Sequence, residues 1–314
     1  MTPKVVCVVG PTASGKTKMG VAIARAFSGE VVSADSMQIY RGMTIGTAAP
    51  TAEETEGVPH HMIAVADPSE SWSVARYVRE ADPCVQDILR RGKLPVLVGG
   101  TGLWLDALIR GTDFAEGSQG GEIRTALQKR MAAEGAAALL EELRQIDPAA
   151  AEKLHLKDEK RIIRALEVWQ ETGETITDHD RRTREQPPRY DAVTIGLDFA
   201  HRQDLRDRID RRVDVMVEQG LLREVRDLLS SGLSPDATAL QAIGYKQFLA
   251  VERGERTEAE AVEEVKLRSR QYAKRQLTWL RRNPRIHWLI WGKIPDFPAA
   301  FQKATEILTA EGLC

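Results

Sequence analysis

Short apolar segments alternate along this chain with stretches of helical periodicity. Val5–Val9, Glu30–Ser33, Pro95–Gly99, Val193–Leu197 and Ile286–Ile290 read as strands. Helical patterns cover Lys18–Phe27, Glu122–Glu134, Ala136–Gln145, Glu159–Thr172, Asp204–Glu218, Leu221–Ser230 and Glu258–Arg282. Strands that alternate with helices predict an α/β fold, a parallel sheet covered by helices. The spacing of the first three strands suits βα units. The pattern changes after Leu103. Gly117–Gly121 reads as a flexible entry and Gln186-Pro187-Pro188 as a stiff exit, with only helical periodicity between them. Residues 114–189 are therefore expected to form an all-helical insertion domain, with 1–113 and 190–314 making the core. No internal repeat or low-complexity tract interrupts this pattern.

The first strand runs into Gly10-Pro11-Thr12-Ala13-Ser14-Gly15-Lys16-Thr17. This stretch fits G-x-x-x-x-G-K-[ST], a loop that wraps backbone N–H groups around a diphosphate. A strand before it and a helix after it supply the context the motif needs, because the helix N-terminus adds partial positive charge. Lys16 would neutralise phosphate oxygens, and the Thr17 hydroxyl could ligate Mg²⁺. The motif specifies a diphosphate without specifying a nucleotide.

The second strand ends in Ser33-Ala34-Asp35-Ser36-Met37-Gln38. Ligands of open α/β sheets bind at the carboxyl ends of strands, so Asp35 is expected to face the phosphate loop. There it could act as a general base, orient a substrate or hold Mg²⁺ through water, or it could simply cap nearby backbone. The third strand ends in Gly99-Gly100-Thr101-Gly102, without the Mg²⁺-holding Asp expected of a nucleotide hydrolase. Its glycines suggest a substrate resting against backbone, beside the Thr101 hydroxyl. His60 and His61 follow Pro59 in an expected loop, with no partner at metal-ligand spacing.

Composition is ordinary for a 314-residue globular chain, 42% hydrophobic and 29% charged. Its formal net charge of −2 means that any nucleic-acid surface must be a local patch. Residues 266–285 are such a patch, carrying eight Lys or Arg and no acid. Tyr272, Ala273, Gln276, Trp279 and Leu280 give this segment one apolar face and leave another cationic. Shorter basic clusters lie at Lys160, Arg161 and Arg164 and at Arg206, Arg208, Arg211 and Arg212. Together they suggest an RNA partner. The three cysteines, Cys7, Cys84 and Cys314, have no paired spacing. A zinc site or disulfide framework is not expected, and the usage suits a reducing cytoplasm. The first residues lead almost directly into a strand and no apolar run reaches spanning length. Neither a signal peptide nor a membrane association is expected.

These segments together resemble the tRNA dimethylallyltransferases of bacterial type. The resemblance is carried by Gly10–Thr17, Asp35-Ser36 with Gln38-Ile39-Tyr40, Ile45–Pro50, Pro59-His60-His61 and Val98–Gly102. It continues through Arg161 and Arg164–Val168, Ile243–Lys246 and Lys274–Arg281. It implies a P-loop fold like that of nucleotide kinases, with a helical insertion that grips the anticodon arm of tRNA. It also implies transfer of a dimethylallyl group from dimethylallyl diphosphate to the exocyclic amine of the adenine 3′-adjacent to the anticodon.

By resemblance, Gly10, Pro11, Thr12, Ala13, Ser14, Gly15, Lys16 and Thr17 hold the diphosphate, Thr17 ligates Mg²⁺ and Asp35 is the base. Arg208 and Arg212 are candidates for a cationic wall opposite the loop. Contacts to tRNA are implied for Asp35, Ser36, Met37, Gln38, Thr101, Arg124, Lys160, Arg161, Ile162, Ile163 and Arg164. They are implied also for Gln241, Ala242, Ile243, Gly244, Tyr245 and Lys246, and for Arg270, Lys274 and Arg275 of the basic segment. Met37 departs from the Arg, Ala or Val frequent there, and the three scattered cysteines are not expected to build the zinc finger of eukaryotic members. A monomer is expected. The rival readings are an isopentenyltransferase acting on free AMP, an ATP-dependent small-molecule kinase, and a nucleotide-gated RNA-binding module without catalysis.

Overall fold

The computed structural model describes residues 2–112, 114 and 121–313. Gly117–Gly120 of the expected flexible entry, and Cys314, lie outside the described residues. The chain divides into two compact units, Met1–Gly111 with Arg189–Cys314, and Thr112–Pro188. Arg189 goes with the first unit because it pairs with Asp82 at 2.7 Å, and Asp82 also accepts from the Tyr190 hydroxyl at 2.6 Å.

The first unit opens with β1 (Lys4–Val9), α1 (Lys16–Ala26), β2 (Glu30–Ser33), the short α2 (Ala52–Thr55) and β3 (His60–His61). It continues with α3 (Val74–Arg90), β4 (Pro95–Gly99) and α4 (Gly102–Arg110). Four helices make up the described elements of the second unit: α5 (Glu122–Ile146), α6 (Pro148–Ala151), α7 (Glu159–Thr172) and α8 (Ile176–Glu185). The chain then returns through β5 (Asp191–Phe199), α9 (Arg202–Glu218), α10 (Leu221–Ser230) and a 3₁₀ turn at Thr238–Gln241. It closes with α11 (Tyr245–Glu252), α12 (Glu258–Leu280), β6 (Ile286–Trp291) and α13 (Phe297–Ala310).

The six strands form one parallel sheet in the order β3-β2-β4-β1-β5-β6. Val6 pairs with Val96 on one side of β1 and with Val193 on the other, so β1 is central and its carboxyl end opens at the middle of the sheet. Helices cover both faces, which is why the central strands β1 and β4 are almost wholly apolar. Tyr40, Tyr77, Tyr190, Tyr245 and Phe248 pack one face. Met19, Ile23, Ile195 and Leu308 pack the other.

The structure differs from the sequence reading in local ways. His60 and His61 form an edge strand rather than a loop, pairing with Val31 and Val32. His61 Nε2 meets the buried Glu30 carboxylate at 2.8 Å, and His60 Nδ1 meets the Val58 carbonyl at 2.8 Å. Helix α3 was hidden by Pro83, which sits exposed inside it while Tyr77, Ala81, Val85 and Ile88 face the core. Helix α13 follows the last strand, capped by Asp296 at Ala299 N.

In the helical unit, Gly135 (φ 82°) breaks α5 between the two predicted segments. Leu127, Met131, Leu139 and Leu143 of α5 pack against Ile162, Ile163 and Leu166 of α7. No helix among the described residues is long and apolar enough to cross a membrane.

Candidate active site

The loop from β1 to α1 holds its shape through its own backbone and three outside contacts. Ala13 and Gly15 lie in the left-handed region at φ 64° and 89°. Trp291 Nε1, from β6, donates to Ser14 O at 2.9 Å. Arg208 Nε, from α9, donates to Ala13 O at 3.2 Å while its guanidinium lies over the Phe199 ring. Gln276, from α12, accepts from Thr12 N at 2.9 Å. The Ser14 hydroxyl is buried without a hydrogen-bond partner among the described residues. The loop is thus fixed at its flanks and, through Ser14 N donating to Pro11 O at 3.3 Å, across its middle.

Lys16 turns back over the loop, its Nζ donating to Pro11 O at 2.7 Å. Burial pushes its ammonium down to about 7; the charge of Arg212 acts the same way and Asp35 opposes both. Burial also lowers Arg212, with Asp35 and Glu54 opposing and Arg208 reinforcing. Lys16, Arg208 and Arg212 therefore share one concentrated positive field, and Asp35 is the carboxylate common to Lys16 and Arg212. Such a field is unfavourable when empty and suits a multiply charged anion.

Asp35 stands at the carboxyl end of β2, where the sequence placed it. Its Oδ1 accepts from Met37 N at 2.9 Å, so the capping role is real and occupies one oxygen. Thr101, at the end of β4, accepts from Ser36 N at 3.3 Å, tying the two strand ends together.

Burial and pairing place the other expected contact residues as follows. Gln38 spends its amide internally: Nε2 donates to Thr47 O and Ala48 O, and Oε1 accepts from Ser33 Oγ. Tyr245 is fully buried, its hydroxyl donating to Glu224 Oε1 at 2.5 Å, so its ring is core. Gly244 is also buried, Ala242 and Ile243 are half-buried, and only Gln241 and Lys246 of that segment are exposed.

Ile162 and Ile163 belong to the apolar core of the helical unit. Arg124 and Arg164 both clasp the buried Glu167, while Lys160 and Arg161 are exposed. Arg270 is committed to Asp210 through contacts of 2.5 and 2.6 Å, and Arg268 and Lys266 also find acids. The acids missing from residues 266–285 are supplied largely by the neighbouring α9 and by the start of α12. Lys274 and Arg275 are exposed, with no carboxylate within 4 Å among the described residues.

The glycines at and beyond the end of β4 admit close approach of the protein's own groups. A Cβ at Gly99 would lie 2.2 Å from Ala34 O, at Gly100 2.1 Å from Gln276 Nε2, and at Gly102 2.2 Å from Trp279 Cδ1.

One organising residue carried no local signal. Glu224 of α10 is buried and accepts from Thr44 N, Thr44 Oγ1, Ile45 N, Gly46 N and the Tyr245 hydroxyl. It folds the 44–48 loop, whose carbonyls hold Gln38. Metal ligation has a narrow basis in side chains: no group of three or more His, Cys, Asp or Glu could hold an ion among the described residues.

Sheet order and loop define an α/β protein of P-loop-like architecture, a parallel sheet flanked by helices with a concentrated positive field at its central strand end. The sequence matches the family model for IPP transferase over residues 38–283 and that for isopentenyl transferase over residues 3–65. It is 44% identical over 289 residues to the tRNA dimethylallyltransferase of Caldanaerobacter subterraneus, covering 92% of both chains. The crystal structure of the tRNA isopentenylpyrophosphate transferase of Bacillus halodurans superposes with a TM-score of 0.74 at 42% identity, covering 98% of this chain and 96% of that one. A eukaryotic dimethylallyltransferase acting on tRNA superposes at 0.83 with 28% identity, covering 98% and 80%. The chain belongs to the IPP transferase family, that of the tRNA dimethylallyltransferases.

Proposed function

We propose that this enzyme transfers the dimethylallyl group of dimethylallyl diphosphate to the exocyclic amine of the adenine 3′-adjacent to the anticodon of tRNA. The observation that carries the reading is the positive field of Lys16, Arg208 and Arg212 over an anion loop, with Asp35 set against it. The Gly10–Thr17 backbone would receive the diphosphate. Lys16, Arg208 and Arg212 would take up the charge that gathers on it as the allyl C–O bond breaks. The Thr17 hydroxyl would help to hold Mg²⁺ with the donor, and the ion would supply further neutralisation of the leaving group.

A neutral adenine amine is a weak nucleophile, and a carboxylate is far too weak a base to deprotonate it in the ground state. Asp35 would first orient the amine through its other oxygen. It would then accept the proton as the N–C bond forms and the nitrogen becomes cationic. The products are the N-alkylated adenine, diphosphate and a proton.

For the RNA, exposed Lys274 and Arg275 on α12 and Lys160 and Arg161 on α7 would track phosphates, with Gln241 and Lys246 beside them in the contact set. The fold would then be kinase-like, with residues 112–188 as an anticodon-arm grip. A target adenine in a loop can be unstacked at lower cost than one in a duplex.

The test supplies labelled dimethylallyl diphosphate and Mg²⁺ with unmodified tRNA, free AMP or ATP as alternative partners. Label on the tRNA alone supports the reading. Label on AMP, or consumption of ATP without transfer, overturns it.

A further inference from the structure

Gln276 lies on the inner face of α12 and is 6% exposed. Its Oε1 accepts from Thr12 N at 2.9 Å and its Nε2 donates to Gly100 O at 3.1 Å. One carboxamide thus bridges the anion loop after β1 and the glycine loop after β4. Both backbone groups come from segments 176 or more residues away in sequence. One turn earlier, the Tyr272 hydroxyl is in hydrogen-bonding reach of Thr101 and Gln276; burial and the charge of Asp35 push it up to about 12. Thr101 in turn receives Ser36 N, next to Asp35. One turn later, Trp279 covers Gly102 and donates to Asp106 Oδ2 at 2.8 Å. The outer side of the same stretch carries the exposed Lys274 and Arg275.

We propose that Gln276 is a positioning residue: it sets the anion loop for the donor diphosphate from the helix that bears the exposed cations. The inference rests on the function proposed above. A diphosphate is held well only where several N–H groups already converge, so the Thr12 peptide must be fixed before the ligand arrives. A carboxamide fits because the position needs an acceptor and a donor at once. A leucine there leaves the Thr12 N–H and the Gly100 carbonyl buried and unpaired. A glutamate keeps the Thr12 contact but turns an oxygen toward the Gly100 carbonyl and adds negative charge near the donor site.

The experiment uses the full chain and two variants, Gln276→Leu and Gln276→Glu. Inorganic diphosphate with Mg²⁺ is titrated calorimetrically, KM and kcat are measured against dimethylallyl diphosphate, tRNA is titrated by filter retention, and melting is recorded. Diphosphate affinity is expected to fall on the order of tenfold or more, with the donor KM rising in step and kcat changing less. The tRNA affinity stays within about twofold, as for a residue that touches no RNA, and both variants remain folded at the assay temperature while melting below the parent, since each leaves a buried group unpaired. Unchanged diphosphate affinity in both variants overturns the proposal. So does a parallel loss of tRNA affinity and melting temperature in both, which marks a structural role only. A parent protein that binds no diphosphate removes the proposed function, and this role with it. A parent that binds it while the variants bind equally well removes the role of Gln276 alone.

Discussion

Replacing Glu224 tests how the acceptor side of the site is built. Glu224 is 8% exposed, and its carboxylate serves five donors: Oε2 takes Thr44 N, Thr44 Oγ1 and Ile45 N at 2.8–2.9 Å, and Oε1 takes Gly46 N at 3.0 Å and the Tyr245 hydroxyl. In Glu224→Ala the two hydroxyls can re-aim, but the three backbone N–H groups cannot. At the lower end of ~1–3 kcal/mol for each unpaired group, the loss is about 3–5 kcal/mol. In Glu224→Gln the NH₂ group would take the Oε1 side, where the Tyr245 hydroxyl can rotate to accept and only Gly46 N–H faces a donor. That variant should cost about 1–2 kcal/mol.

Urea unfolding followed by tryptophan fluorescence reads the difference, since five of the six tryptophans lie in the sheet unit. Hydrogen exchange at Thr44, Ile45 and Gly46 gives the local readout. The 44–48 loop also seats Gln38 through Thr47 O and Ala48 O, so kcat/KM for tRNA should fall in both variants, more in the alanine. A cost below about 1 kcal/mol for Glu224→Ala, with those amides still protected, would refute the reasoning.

Other consequences follow from charge. Lys16 is held down to about 7 mainly by burial, so it is charged below that pH and loses its proton above it. A diphosphate favours the charged form, so donor binding should take up a proton above pH ~7 and weaken as pH rises toward the ordinary lysine range. Calorimetry in buffers of different ionisation enthalpy would detect this uptake, and Lys16→Met should abolish it; equal uptake in both proteins contradicts the assignment. Lys274 and Arg275 are exposed and unpaired with acid among the described residues, whereas Arg268 and Arg270 are spent on Glu264 and Asp210. Neutralising the first pair should therefore weaken tRNA binding more. The slope of log affinity against log salt should flatten by roughly 0.7–0.9 for each phosphate no longer neutralised. Equal effects from the two pairs, read from binding across a salt series, count against an RNA face centred on Lys274 and Arg275.

The elements most legible in sequence were those whose signal is local. Pro95–Gly99 is continuously apolar because both faces of a central strand are buried. Leu221–Ser230 and Glu159–Thr172 keep unbroken amphipathic spacing. Helix α3 has spacing just as regular, but Pro83 inside it mimics a breaker; facing solvent, it leaves the buried face intact. The two-residue strand at His60 is too short to form a period. Within the site, the phosphate loop and Asp35 announce themselves because their chemistry lies in contiguous residues. Glu224 and Gln276 do not, since each gets its meaning from backbone groups far away in sequence. For the same reason Gln38 and Arg270 read as open contacts while their partners lay elsewhere along the chain.

The central claim is that Asp35 does chemistry opposite an anion loop, and a single-turnover measurement tests it most directly. With tRNA and dimethylallyl diphosphate both saturating, Asp35→Asn should lower the transfer rate by roughly 10²–10⁴. Its dissociation constants for the two substrates should stay near those of the parent. A large loss of tRNA or donor affinity with an unchanged transfer rate would contradict it, leaving Asp35 as a binding and turn-forming residue only.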